Sequence, residues 1–256
     1  MSRYQIAEHY VRFFAQDVVS AANNSKVLYR EIFTRVTSRV DDQPSLPAGF
    51  FEKLQPSKHA ELACRQLDEI SHLPKESYGI NLNLAHLNGS QEAFADCIEA
   101  KANAGVIDPS HIYLEVLETG IKYGDEVPLR RLLDRLKSMG CKLAIDDFGA
   151  RNANFDFLSE WGDWFDIVKI DGPLFGRSLN KPTSYKLLQA MVDFMHDQGM
   201  EVVVEHIETE QHLECAIDLG ASFVQGYLIE TPNLLLRCAP TSEEVRRMFE
   251  NEVAVS

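Results

Sequence analysis

From Tyr78 onward, short apolar runs rich in Val, Ile and Leu alternate with stretches of helical period, and this alternation restricts the fold more than any other feature. The strand-like runs are YGINLNL from Tyr78, IYLEVLE from Ile112, KLAIDD from Lys142, FDIVKID from Phe165, EVVVEHI from Glu201 and SFVQGYLI from Ser222. Interleaved with them are HAELACRQLDEI, SQEAFADCIEAKANAG, VPLRRLLDRLKSMG, SYKLLQAMVDFMHDQGM and TEQHLECAIDLG, in which apolar residues recur at helical spacing. Gly105, Gly140, Gly199 and Gly220 close several of these stretches, where a left-handed residue ends a helix. Strand and helix in repeated alternation predict a parallel β/α barrel, with a doubly wound open sheet as the competing arrangement.

Ahead of this region, YVRFFAQDVVSAANNSKVLYREIFTRV gives two β-rich runs separated by Ala, Asn and Ser, the pattern of an antiparallel pair. The polar stretch DDQPSLPAGFFEKLQPSK is expected to form a surface connection from that pair to the first barrel helix. No linker rich in Pro, Gly or Ser interrupts the sequence, so residues 1–256 read as a single domain. A hydrophobic content of 45% suffices for a sizeable core. The net charge of -14 argues against binding a DNA or RNA polymer, whose backbone calls for clustered Lys and Arg, but leaves room for a small anion held through metal ions. Cys64, Cys97, Cys141, Cys215 and Cys238 contain no CxxC pair, which suggests neither a disulfide framework nor a zinc knuckle. The opening MSRYQIAEHYVRFF lacks the apolar core of a signal peptide and no apolar run is long enough to span a membrane, so a cytoplasmic protein without membrane association is expected.

Polar residues gather near the ends of the strand-like runs: Glu31, Asn81, Glu115 with Glu118, Asp146 with Asp147, Lys169 with Asp171, Glu205 with Glu208, and Gln225. In a barrel these ends meet at one mouth, where residues remote in sequence become neighbours. Carboxylates and an amide converging there form the oxygen-rich donor set that magnesium or manganese prefers. The adjacent Asp146 and Asp147 are the sharpest sign, because two like charges at the exit of a buried strand are costly without a cation. Each residue alone has a plainer explanation. Glu31 could be a solvated loop charge, the Asp pair a cap for the next helix, Lys169 a rim partner of Asp171, and Asn81 and Gln225 satisfied buried amides.

The same residues fall in ordered motifs, and through them the chain resembles the EAL-domain family of bacterial cyclic di-GMP phosphodiesterases. FFAQDVV looks like the family's QPIV strand, and REIFTRV resembles its EALLRW signature, keeping Glu31 and placing Arg35 at the family's arginine. INLN is similar to VNLS, LEVLET to LELTE, LAIDDFG to LALDDFG, FDIVKID to VDxLKID, VVVEHIET to VVAEGVET, and FVQGYLIETP to YVQGYLFSKP. The resemblance implies a β/α barrel whose first strand runs antiparallel to the rest, and hydrolysis of one phosphodiester bond of cyclic di-GMP to give linear pGpG. It also implies two magnesium or manganese ions. Glu31, Asn81, Glu115 and Asp146 would hold one, and Asp146, Asp147 and Glu205 the other. Lys169 would position the attacking water or a phosphate oxygen, Arg35 would meet a phosphate, and Asp171 belongs to the implied ligand-binding set. Gln225 and Glu208 would support the shell, and Glu118 would tether the loop after DDFG. Two cations roughly 3.5–4 Å apart suit this chemistry, because they can activate water, neutralise the phosphate and stabilise the leaving group.

The sequence also departs from the family. Ala150, Arg151, Asn152, Ala153 and Asn154 stand where the family reads TGYSSL, a loop that couples metal binding to dimer contacts, so a homodimer is implied by the resemblance alone. His206 replaces the Gly of EGVE; on a strand its side chain should point away from that of Glu205 and fill space. The rival function is a non-catalytic member that binds cyclic di-GMP or a regulatory protein partner. A barrel enzyme acting on a sugar phosphate has no motif to support it, since no glycine-rich phosphate loop is present.

Overall fold

Residues 4–6, 9–37, 49–83, 87, 89–117, 126–150 and 155–235 are described by a computed structural model. A short strand β1 (Tyr4–Ile6) leads into a long hairpin of β2 (His9–Ser20) and β3 (Asn23–Thr37). Then follow α1 (Phe50–Lys53), α2 (Pro56–Ile70), β4 (Tyr78–Leu82), α3 (Gln91–Asn103), β5 (Ile112–Leu117), α4 (Glu126–Ser138) and β6 (Lys142–Phe148). The chain continues through α5 (Phe155–Trp161), β7 (Ile167–Ile170), α6 (Gly172–Leu179), α7 (Pro182–Asp197), β8 (Glu201–Val204), α8 (Glu210–Asp218), β9 (Phe223–Val224) and β10 (Asn233–Leu234).

Strands β3 to β9 pair in sequence order, each parallel to the next. β2 closes the ring, lying antiparallel to β3 on one side and to β9 on the other, where Val19 faces Val224. The fold is therefore the closed barrel with a reversed first strand, and the open-sheet alternative is excluded. The helix ends follow the glycines: Gly105, Gly140, Gly199 and Gly220 have φ of 69°, 97°, 79° and 89°. After each, the next amide reaches back to a carbonyl in the last turn, as from Val106 N–H to the Lys101 oxygen and from Cys141 N–H to the Leu136 oxygen, so the terminal carbonyls are satisfied.

Two elements escape the sequence pattern for local reasons. Helix α6 (GPLFGRSL) holds two glycines and a proline, all poor helix formers, yet Pro173 sits in its first turn where no amide is required and the Asp171 carboxylate accepts from Leu174 N–H at 3.1 Å. The stretch after Asp41 is more than a surface connection at its described end, which corrects the expectation: α1 buries Phe50 and places Phe51 in the wall of the main cleft.

The period-two alternation of the strands separates two apolar cores. Residues such as Ile80, Val116, Ile145 and Val168 point outward and pack under the helices. A second set, Val18, Tyr29, Ala144, Ile167 and Val203, points inward and fills the lower barrel, with Tyr29 stacked on Tyr113 at 4.4 Å between ring centroids. Gly79 shares this inward face, where a Cβ would lie 2.7 Å from both Glu115 Oε1 and the Tyr29 ring. Gly79→Ala is therefore expected to lower stability by about 1–3 kcal/mol, the usual cost of overpacking. Urea unfolding reads this, and an unchanged midpoint would show that the crowding relaxes freely.

Candidate metal centre

The inward residues one layer above that apolar floor are polar. Register pairs Glu31 with Gly79, Asn81 with Glu115, and Leu117 with Asp146, so Glu31, Asn81, Glu115 and Asp146 all project to the inward face from neighbouring strands. At their centre is Lys169 on β7, 1% exposed. Its ammonium lies 3.0 Å from Glu31 Oε2, 2.6 Å from Glu115 Oε2, 3.0 Å from Asp146 Oδ1 and 2.9 Å from Glu205 Oε1. The rim pairing of Lys169 with Asp171 is thus replaced by contact with carboxylates brought from β3, β5, β6 and the end of β8. Asn81 donates its amide to Glu31 Oε1 at 2.7 Å, which leaves the Asn81 carbonyl oxygen for another partner. Gln225 donates to Glu31 Oε2 at 2.8 Å.

A strand sends consecutive side chains to opposite faces, so Asp146 and Asp147 could not both face the site on a regular strand. The chain solves this with a register break between Ile145 and Phe148 and a left-handed Asp147, φ 54°, a conformation Asp tolerates better than most residues. Asp146, Asp147 and Glu205 then each offer a carboxylate oxygen, all within 4.8 Å of one another.

One lysine does not neutralise this density of acid. Burial, then Glu31, pushes the Glu115 carboxyl well above the usual range. Burial raises Asp146; burial and the neighbouring Asp146 push Asp147 up to about 6; and burial raises Glu205 to about 8 despite Lys169 beside it. Glu31 moves the other way, because Lys169 and the hydrogen bonds from Asn81 and Gln225 outweigh its burial. Burial opposes the charge on Lys169, yet Asp146, Glu115, Glu205 and Glu31 together hold it protonated. One carboxylate oxygen, Glu115 Oε1, is buried without a hydrogen bond. Hard oxygen donors under mutual repulsion fit a divalent cation of the magnesium or manganese type.

The site opens into a cleft of about 670 Å³. Arg35 lines it, with its guanidinium over the Phe33 and Phe14 rings at 5.3 and 5.9 Å from their centroids. Glu208 also lines the cleft and is exposed. Asp171 is not among the described residues that line it; its carboxylate caps α6 instead. Glu118 and residues 151–154 of the altered loop lie outside the described residues.

His206 lies beyond β8, which ends at Val204, and adopts a left-handed backbone, φ 57°, so strand alternation does not set its direction; its ring packs over Gly172. Such a backbone costs an L-residue about 1–2 kcal/mol. Sequence reading also missed Gln16, which faces Glu31 from the antiparallel strand β2. Its carbonyl oxygen accepts from Gln225 Nε2 at 3.3 Å and its amide donates to the Glu230 carbonyl at 2.5 Å, so it ties the C-terminal segment to the Glu31 carboxylate. It stands in mid-strand rather than at a strand end, and the register against Glu31 was the signal that could have found it.

Residues 3–232 match the model of the EAL domain. Among relatives, the chain is 34% identical over 158 residues to the cyclic di-GMP phosphodiesterase RocR of Pseudomonas aeruginosa, a match covering 60% of this chain and 40% of RocR. It is 32% identical over 114 residues to the cyclic di-GMP phosphodiesterase PdeF of Escherichia coli, covering 44% of this chain and 15% of PdeF. The chain thus spans less than half the length of these relatives. Among solved structures, BlrP1 of Klebsiella pneumoniae in complex with manganese and cyclic di-GMP superposes with a TM-score of 0.74 at 26% identity, over 88% of this chain and 56% of that one. The YkuI protein of Bacillus subtilis, with calcium and cyclic di-GMP, shares the fold with a TM-score of 0.74 at 22% identity, over 96% of this chain and 60% of that one.

Proposed function

This chain belongs to the EAL domain family, and from that premise we propose that it hydrolyses one phosphodiester bond of cyclic di-GMP to linear pGpG with the help of divalent metal ions. The observation that carries the reading is the cup of Glu31, Glu115, Asp146 and Glu205 gathered on one buried lysine, with Asp147 beside it, opening into a cleft of about 670 Å³. Glu31, Asn81, Glu115 and Asp146 would hold one magnesium or manganese ion, and Asp146, Asp147 and Glu205 a second. When bound, such ions supply Lewis acidity and charge neutralisation at the scissile phosphate.

The chain's own groups do the rest. Lys169 gives up part of its carboxylate contacts and turns its N–H groups to the attacking water or a phosphate oxygen. Gln225 and Gln16 fix the Glu31 carboxylate, so that it does not reorient when its partners change. Arg35, steadied over two phenyl rings, meets a phosphate across the cleft, and Glu208 supports the outer wall. The apolar floor shuts bulk water out from below, which strengthens every charge interaction above it. The family likeness also implies a homodimer, which light scattering of the purified protein reads directly.

The test is product analysis. Purified protein, cyclic di-GMP and manganese or magnesium should give linear pGpG on chromatography, with the product lost on adding chelator or on Glu31→Ala. Tight binding of cyclic di-GMP without turnover in either metal would overturn catalysis and favour a regulator.

A further inference from the structure

We propose that His206 contacts the bound dinucleotide directly and sets its affinity, its imidazole N–H donating to an acceptor oxygen on the nucleotide beyond the scissile phosphate; this inference rests on the phosphodiesterase reading above. Four observations converge on it. His206 is a non-glycine residue held at φ 57°, and a strained backbone of this kind persists where surrounding structure enforces it, most often at functional sites. A Cβ on Gly172 would lie 2.3 Å from His206 Cγ and 2.4 Å from its Nδ1, so the ring packs over bare backbone at the start of α6. His206 also lines the cleft and is exposed, so the residue borders the space a ligand would occupy. Finally, His206 stays outside the group formed by Asp146, Asp147 and Glu205, so its contact belongs to binding rather than to the reacting phosphate.

The sequence sharpens the argument. The motif that VVVEHIET resembles carries glycine at this position, and glycine adopts a positive φ without steric cost. This chain keeps a ring where the backbone would favour none, and a contact made by that ring is what the structure offers in return.

The experiment compares steady-state kinetics on cyclic di-GMP for the full chain, His206→Gly and His206→Asn, with thermal melts of each. Loss of one hydrogen bond should raise KM of His206→Gly by about fivefold to tenfold, with kcat held within about twofold, and without lowering the melting temperature, since glycine suits the backbone. Asparagine tolerates the left-handed region and carries an N–H donor, so His206→Asn should recover most of the affinity. A wild-type KM in His206→Gly overturns the proposal, as does a fall in kcat at constant KM. Failure of the unaltered protein to bind or hydrolyse cyclic di-GMP removes the phosphodiesterase reading itself, and this inference with it.

Discussion

Lys169→Met is expected to destabilise the metal-free protein by about 3–5 kcal/mol, the cost of removing one partner from a buried ionic group. The ammonium touches Glu31, Glu115, Asp146 and Glu205, each within 3.0 Å, and methionine preserves length and apolar stem while abolishing the charge. Proton uptake limits the loss, since burial raises the Glu205 and Glu115 carboxyls and so favours their neutral forms once the ammonium is gone. Without that escape the uncompensated charges would cost far more. Urea unfolding in chelator measures the effect. Manganese should then restore a large part of the lost stability, because a cation bound only by the folded state takes over the role of the ammonium. Equal unfolding midpoints for the two proteins in chelator would show that Lys169 does not hold the cup together.

Asp146→Asn should reduce kcat/KM on cyclic di-GMP by about 10³-fold or more, equivalent to about 4 kcal/mol of barrier. Asp146 belongs to both proposed cation sites and is itself in contact with Lys169, so one neutralised carboxylate weakens every part of the centre. Asn81 contributes a single neutral donor and orients Glu31, and Asn81→Ala should fall nearer the 10–100-fold typical of residues that orient ligands. The ranking is the informative result. An Asp146→Asn variant that retained more than about a tenth of the activity would remove Asp146 from its bridging role.

The barrel and much of its site were legible in the sequence, and the reasons are physical. Parallel strands announce themselves by short apolar runs, and helix ends by glycines, here Gly105, Gly140, Gly199 and Gly220, all of which adopt the left-handed conformation they advertised. Glu31, Asn81, Glu115, Asp146, Lys169, Glu205 and Gln225 stood out because polar groups near the ends of apolar strands have one place to meet. What stayed hidden depended on three-dimensional register. Lys169 showed no sign of touching so many carboxylates, because sequence placed Asp171 nearest to it and said nothing of depth. Asp171 in turn proved to serve a helix terminus. The register break that brings Asp147 to the same side as Asp146, and the strained turn at His206, arise from backbone angles that composition does not encode.

The floor built from Val18, Tyr29, Ala144, Ile167 and Val203 also decides the traffic through the molecule. With these side chains at most 2% exposed, the lower end of the barrel is no exit for anything nucleotide-sized. Under the proposed hydrolysis, product and substrate would share one doorway, so the opened dinucleotide should compete with fresh ligand as it accumulates and slow turnover.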